Sequence, residues 1–138
     1  MQAQGIFTVS DWTPTDHTPP ITTAASVGHA TMIKTFTGDI EGRASTQFTG
    51  ALNPETGAGS YVALESFDGT IGGRTGTINF LHTASTHGTD RYDEKLAVVP
   101  DSGTGELAGL IGSGSIVIDP DGTHHLILEL SPAAVPEG

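Results

Sequence analysis

Apolar and polar residues alternate along much of the chain, in short runs punctuated by Gly, Pro, Asn and Asp. A period of two places successive side chains on opposite faces of an extended strand, so this rhythm predicts β structure. Gly5 to Trp12 reads as a first strand, and Thr13 to Pro20, with three prolines, as a loop. Residues 25–37, 40–52, 58–67, 70–84, 90–99, 108–118 and 123–130 read as seven more strands. The breaks between them have turn chemistry: Gly38-Asp39, Asn53-Pro54-Glu55-Thr56-Gly57, Asp68-Gly69 and Asp119-Pro120-Asp121-Gly122. Gly72-Gly73 and Gly76, inside the fifth run, suggest a bulge or bend. Residues 100–107 are irregular, with one helical turn near Glu106, and the tail from Ser131 ends the fold.

Strands joined in order by short connections make a meander. Closing a meander removes the unpaired edges that invite aggregation. The expected fold is therefore all-β: a closed antiparallel up-and-down barrel of about eight strands, with an open β-sandwich as the alternative. One domain spans residues 1–138, its ordered core about 5–130. A barrel of this size is filled by its own side chains or holds one small ligand.

Composition narrows the function classes. No cysteine is present, which removes disulfides, thiolate nucleophiles and Cys-based metal sites. The net charge is −11, and the basic residues Lys34, Arg43, Arg74, Arg91 and Lys95 are scattered rather than gathered in a stripe. Such a surface repels phosphate backbones and anionic lipid, so neither nucleic acid nor a membrane is an expected partner. No apolar run reaches the length of about 18 residues that a membrane helix needs. The opening Met1-Gln2-Ala3-Gln4-Gly5 lacks the charged and apolar regions of a signal peptide, and a cytoplasmic location is the expectation.

Three stretches carry more than composition: Lys34 to Gly42, Tyr61-Val62-Ala63-Leu64-Glu65 through Gly69-Thr70-Ile71-Gly72-Gly73-Arg74-Thr75-Gly76 to His82, and Val98 to Leu110. Together they resemble a bacterial family of unknown function that looks like a small relative of the allene oxide cyclase barrel. The resemblance implies an antiparallel eight-stranded barrel that self-associates as a homo-oligomer. It also implies kinship with barrels whose shared theme is shaping a reactive hydrophobic intermediate.

Hairpin geometry nominates the chemistry. A two-residue turn at Asp68-Gly69 sets Tyr61 opposite Gly76, Ala63 opposite Arg74 and Glu65 opposite Gly72. One face then carries Tyr61, Glu65, Arg74, Phe80 and His82, an aromatic wall with a few polar groups, as small-molecule pockets have. Glu65 and His82 are the candidates for proton transfer. Against this stands a plain structural role, with Glu65 paired to Arg74 and His82 at a strand end in water. A two-residue turn at Gly38-Asp39 sets Phe36 opposite Glu41 and Lys34 opposite Arg43, with Glu41 offsetting Lys34 or meeting a ligand. Trp12, the single tryptophan, plugs a barrel end or walls a ligand. His124-His125 cannot readily share an ion, because neighbours on a strand face opposite ways, and no spacing completes a metal site. Gly103-Thr104-Gly105-Glu106 lacks the Lys-Ser/Thr ending of a phosphate loop. No metal or cofactor is expected. The reading is a barrel that binds a small hydrophobic molecule and isomerises or cyclises it, or else only carries it or self-assembles.

Overall fold

The computed structural model describes residues 1–133. Its eight strands are β1 (Gln2–Pro14), β2 (Ser26–Gly38), β3 (Ile40–Leu52), β4 (Ala58–Ile71), β5 (Arg74–His87), β6 (Asp90–Val98), β7 (Leu110–Ile118) and β8 (His124–Pro132). Each pairs antiparallel with the next, and β8 returns to β1, so the sheet closes as a barrel and not as a sandwich. The one helical turn, Gly105–Leu107, falls where Glu106 was expected to mark it. Strand β1 begins at Gln2 and runs on to Pro14, past the expected loop start, and β8 takes in Ser131 and Pro132. The rest of the tail, residues 134–138, lies outside the described residues.

The inward positions of the alternation build the core. Phe7, Phe36, Phe67 and Phe80 form a chain of rings with centroids 5.3, 5.7 and 5.9 Å apart across β1, β2, β4 and β5. Ile40, Ile71, Ile78 and Leu128 are fully buried around them. Truncating one such phenylalanine to alanine costs roughly 3–5 kcal/mol in a packed interior. Leu107, wholly buried, plugs this end. The segment that carries it lies along β5, with Thr104 N–H donating to the Thr77 carbonyl at 2.8 Å. A side chain on Gly76 would run into the Thr104 carbonyl, so this plug requires glycine there.

Two turns differ from the sequence reading. Asp68-Gly69 lies inside β4, and the β4–β5 hairpin turns at Gly72-Gly73, with Ile71 opposite Arg74. Both glycines have positive φ, 56° and 83°, which is what the tight hairpin turn demands. Gly69 instead stands opposite Gly42 and Gly76, where any side chain would strike the Glu41 carbonyl. The β2–β3 ladder is centred on Asp39, so Lys34 faces Ala44 and Phe36 faces Gly42. That shift by one position separates Lys34 from Arg43 and turns Glu41 outward, opposite Thr70.

Candidate functional site

Two irregularities aim the side chains of the open end. In β1, Ser10 pairs with Ile33 but Thr13 pairs with Thr31, so Asp11 and Trp12 together oppose Met32. Asp11 takes a positive φ of 57° and absorbs the extra residue. Phe7 faces inward, so regular alternation would send Trp12 outward; the bulge turns it in. In β6 the register slips between the Thr83–Lys95 and Ser85–Tyr92 pairs, around Asp93 with φ 52°. Arg91 and Glu94 are three apart and would face opposite ways on a regular strand. The bulge puts both on the inner side, with Arg91 Nε 3.0 Å from Glu94 Oε2.

At this open end lies a pocket of about 510 Å³, walled by Trp12, Pro14, Ala30, Phe48, Leu52 and Tyr61 among others. No Asp, Glu, Lys or Arg lines it. An aromatic series runs along its wall and down: Trp12 meets Phe48 edge-on at 5.3 Å, Phe48 stacks on Tyr61 at 5.2 Å, and Tyr61 meets His82 edge-on at 5.3 Å.

Below the pocket sits a layer of buried polar groups: Lys34, Thr46, Glu65 and His82. Lys34 Nζ pairs with Glu65 Oε1, which also accepts the Thr46 hydroxyl at 3.0 Å. The Lys34 ammonium lies over the Phe7 ring, 4.9 Å from its centroid. His82 Nε2 is 3.1 Å from Glu94 Oε2. Glu94 Oε1 accepts the Ile116 N–H at 3.3 Å, and Arg91 donates to the Ile116 carbonyl at 2.7 Å. The inward charges are thus matched, the buried Lys34 with Glu65 and the partly exposed Arg91 with Glu94. Burial pushes the His82 imidazole below its ordinary value; the Glu94 carboxylate opposes this, and the Lys34 ammonium adds to it. Burial likewise raises the Tyr61 phenol, against the nearby Arg91 guanidinium.

The structure brings together five of the seven residues singled out in the sequence. Trp12 and Tyr61 wall the pocket, Glu65 and His82 lie beneath it, and Phe80 belongs to the phenylalanine core below. Glu41 is exposed on the outer face, away from Lys34. Arg74 is exposed at the β4–β5 turn, at the opposite end of β5 from the pocket residue Thr86. The cation of Glu65 is therefore Lys34 rather than Arg74, and His82 is buried in mid-strand rather than in water. His124 and His125 do face opposite ways: His124 meets the Phe7 ring inside, and His125 pairs with Asp119 outside at 2.6 Å. Among the described residues no three His, Asp or Glu side chains converge as metal ligands.

Sequence reasoning missed Arg91, Glu94 and the partnership of Lys34 with Glu65. The only local signal was the pair of aspartates in the bulges, since Asp tolerates the left-handed region better than most residues. No helix of the described residues is long and apolar enough to cross a membrane.

No curated protein matches the chain. Among solved structures it is similar to a protein of unknown function from the DUF3224 family of Shewanella oneidensis MR-1, at 30% identity, over 98% of each chain and with a TM-score of 0.86. The likeness to allene oxide cyclases rests on the sequence blocks alone. Residues 3–130 match the family model described as a protein of unknown function, DUF3224. With a match over nearly the whole barrel, the chain belongs to the DUF3224 family.

Proposed function

We propose that the barrel binds one small, largely apolar molecule in its open mouth. The observation that carries this reading is the pocket of about 510 Å³, walled by Trp12, Phe48 and Tyr61 and lined by no Asp, Glu, Lys or Arg. Pockets for small molecules fall in this size range and combine apolar walls with a few polar groups. Such groups lie within the same barrel, in the layer of Lys34, Glu65, Thr46 and His82.

Proton transfer on the bound molecule is a second reading, and the two candidates are not equal within it. Glu65 has one oxygen engaged by both Lys34 and Thr46, which favours a charge-balancing role. His82 is held neutral by burial and is the better base.

Trp12 makes the test direct. A neutral naphthylamine probe, N-phenyl-1-naphthylamine, should quench the single tryptophan on binding and brighten in the apolar pocket. Gly28 lines the pocket, and a Cβ there meets no atom within 4 Å. Gly28→Leu therefore starts in open space, reaches into the pocket and should weaken the probe by roughly tenfold, the factor set by about 1.4 kcal/mol. Thermal stability should be unchanged or higher. No probe binding to the wild type, or equal binding to Gly28→Leu, would remove the pocket from consideration.

A further inference from the structure

The pocket's polar neighbours say what its occupant carries. His82 is 3% exposed. Its Nε2 faces a carboxylate oxygen, so in the neutral ring Nε2 holds the hydrogen and donates it to Glu94. Nδ1 is then a lone-pair acceptor. It makes no hydrogen bond among the described residues, yet no fully enclosed side-chain nitrogen or oxygen there lacks one. Nδ1 is therefore not fully enclosed, and its ring, one layer below the pocket's lining, meets edge-on the Tyr61 ring that walls the pocket. An acceptor of this kind calls for a donor, and an O–H group supplies one.

Charge points the same way. Each inward cation already has its carboxylate: the buried Lys34 has Glu65, and the partly exposed Arg91 has Glu94. An anionic ligand would find no Lys or Arg in the lining and no unpaired one in the layer beneath it, and it would meet a chain of net charge −11. A cationic one would find no carboxylate in the lining. The walls themselves are ring faces and edges from Trp12, Phe48 and Tyr61, which favour a flat aromatic body.

We propose that the occupant is an uncharged aromatic molecule bearing a hydroxyl group, which donates its hydrogen to His82 Nδ1. This rests on the pocket reading above and narrows it to a ligand class. Burial, which keeps the imidazole neutral, keeps Nδ1 free to accept at neutral pH.

The test uses matched naphthalenes displacing N-phenyl-1-naphthylamine at neutral pH. In the wild type, 2-naphthol should bind about fivefold more tightly than 2-methoxynaphthalene, which has the same body and no O–H, as one neutral hydrogen bond gives. It should also exceed 2-naphthoate and the 2-naphthyl-trimethylammonium ion by about tenfold or more, the cost of burying an unmatched charge. In His82→Phe the advantage of 2-naphthol over its ether should vanish while the ether still binds. The wild-type series stands by itself if that variant fails to fold. The proposal is overturned if the ether or either ion matches 2-naphthol in the wild type, or if the hydroxyl advantage survives in His82→Phe. In those cases displacement of the probe still upholds the pocket, whereas no displacement by any of the four, with no probe binding, overturns the pocket reading itself.

Discussion

Lys34→Met puts the buried charge pair to the test. The Lys34 and Glu65 side chains are 8% and 3% exposed, so neither charge leans on water. Removing the ammonium leaves the Glu65 carboxylate with one neutral donor, the Thr46 hydroxyl at 3.0 Å. Breaking a buried pair from one side costs roughly 3–5 kcal/mol, because an uncompensated charge stays behind. For 138 residues, at about 2.1 cal/mol/K of unfolding entropy per residue, that lowers the melting temperature by roughly 10–17 °C. It also removes a large share of the 5–15 kcal/mol typical of a domain. The double variant Lys34→Met, Glu65→Leu removes both charges together. Its loss should shrink to about 1 kcal/mol, the worth of the hydrogen bond that Thr46 forfeits, since apolar replacement of a whole pair is often neutral. Urea unfolding, followed by circular dichroism and by Trp12 emission, reads both variants, and coincident transitions support two-state analysis. A single variant within about 1 kcal/mol of wild type would mean that water reaches the carboxylate. A double variant as damaged as the single would mean that packing, not charge, sets the cost.

Two further expectations follow from the open end. His82 titrates below the ordinary imidazole value of 6.5, so on acidification the unfolded chain takes up this proton first. Its contribution to stability is complete above about pH 6.5 and is lost as the pH falls toward the folded-state value, a slope that His82→Phe should remove; an NMR midpoint at or above 6.5 would refute this. At Asp93, with φ 52°, glycine should be tolerated within about 0.5 kcal/mol. Valine there should cost at least 1–2 kcal/mol and weaken ligand binding, because the left-handed backbone that brings Arg91 and Glu94 inward becomes strained. Equal stability of the two variants would show that the bulge does not depend on that conformation.

The barrel was legible because alternation and turn chemistry are local properties. Register was not, and its two errors had different consequences. Placing the β4–β5 turn at Asp68-Gly69 rather than Gly72-Gly73 displaced every pair by an even number of positions, so Tyr61, Glu65, Phe80 and His82 still shared a face. At Gly38-Asp39 the slip was a single position, which set Lys34 beside Arg43 and hid it from Glu65. Arg91 and Glu94 were beyond reach for another reason. A bulge is fixed by how strands fit around the closed ring, and its one local sign, an Asp that tolerates the left-handed region, does not say which side chains it turns inward.

A ring of paired strands has no edge, but it has a weakest link. Across β6 and β7 only Leu96–Gly114 and Ala97–Ser113 pair, and beyond them Ile116 is held through its N–H and carbonyl by the side chains of Glu94 and Arg91. Elsewhere backbone fastens to backbone; here a clasp of two ionised side chains does the fastening. Such a clasp answers to salt as a ladder of amides does not. The barrel should therefore breathe at this seam first: the Ile116 amide should exchange with deuterium sooner than that of Ala44 in β3, and the gap should widen as ionic strength rises. What parts there is a length of wall beside His82, so the strand pair that fastens the barrel least is also a side door to its polar interior.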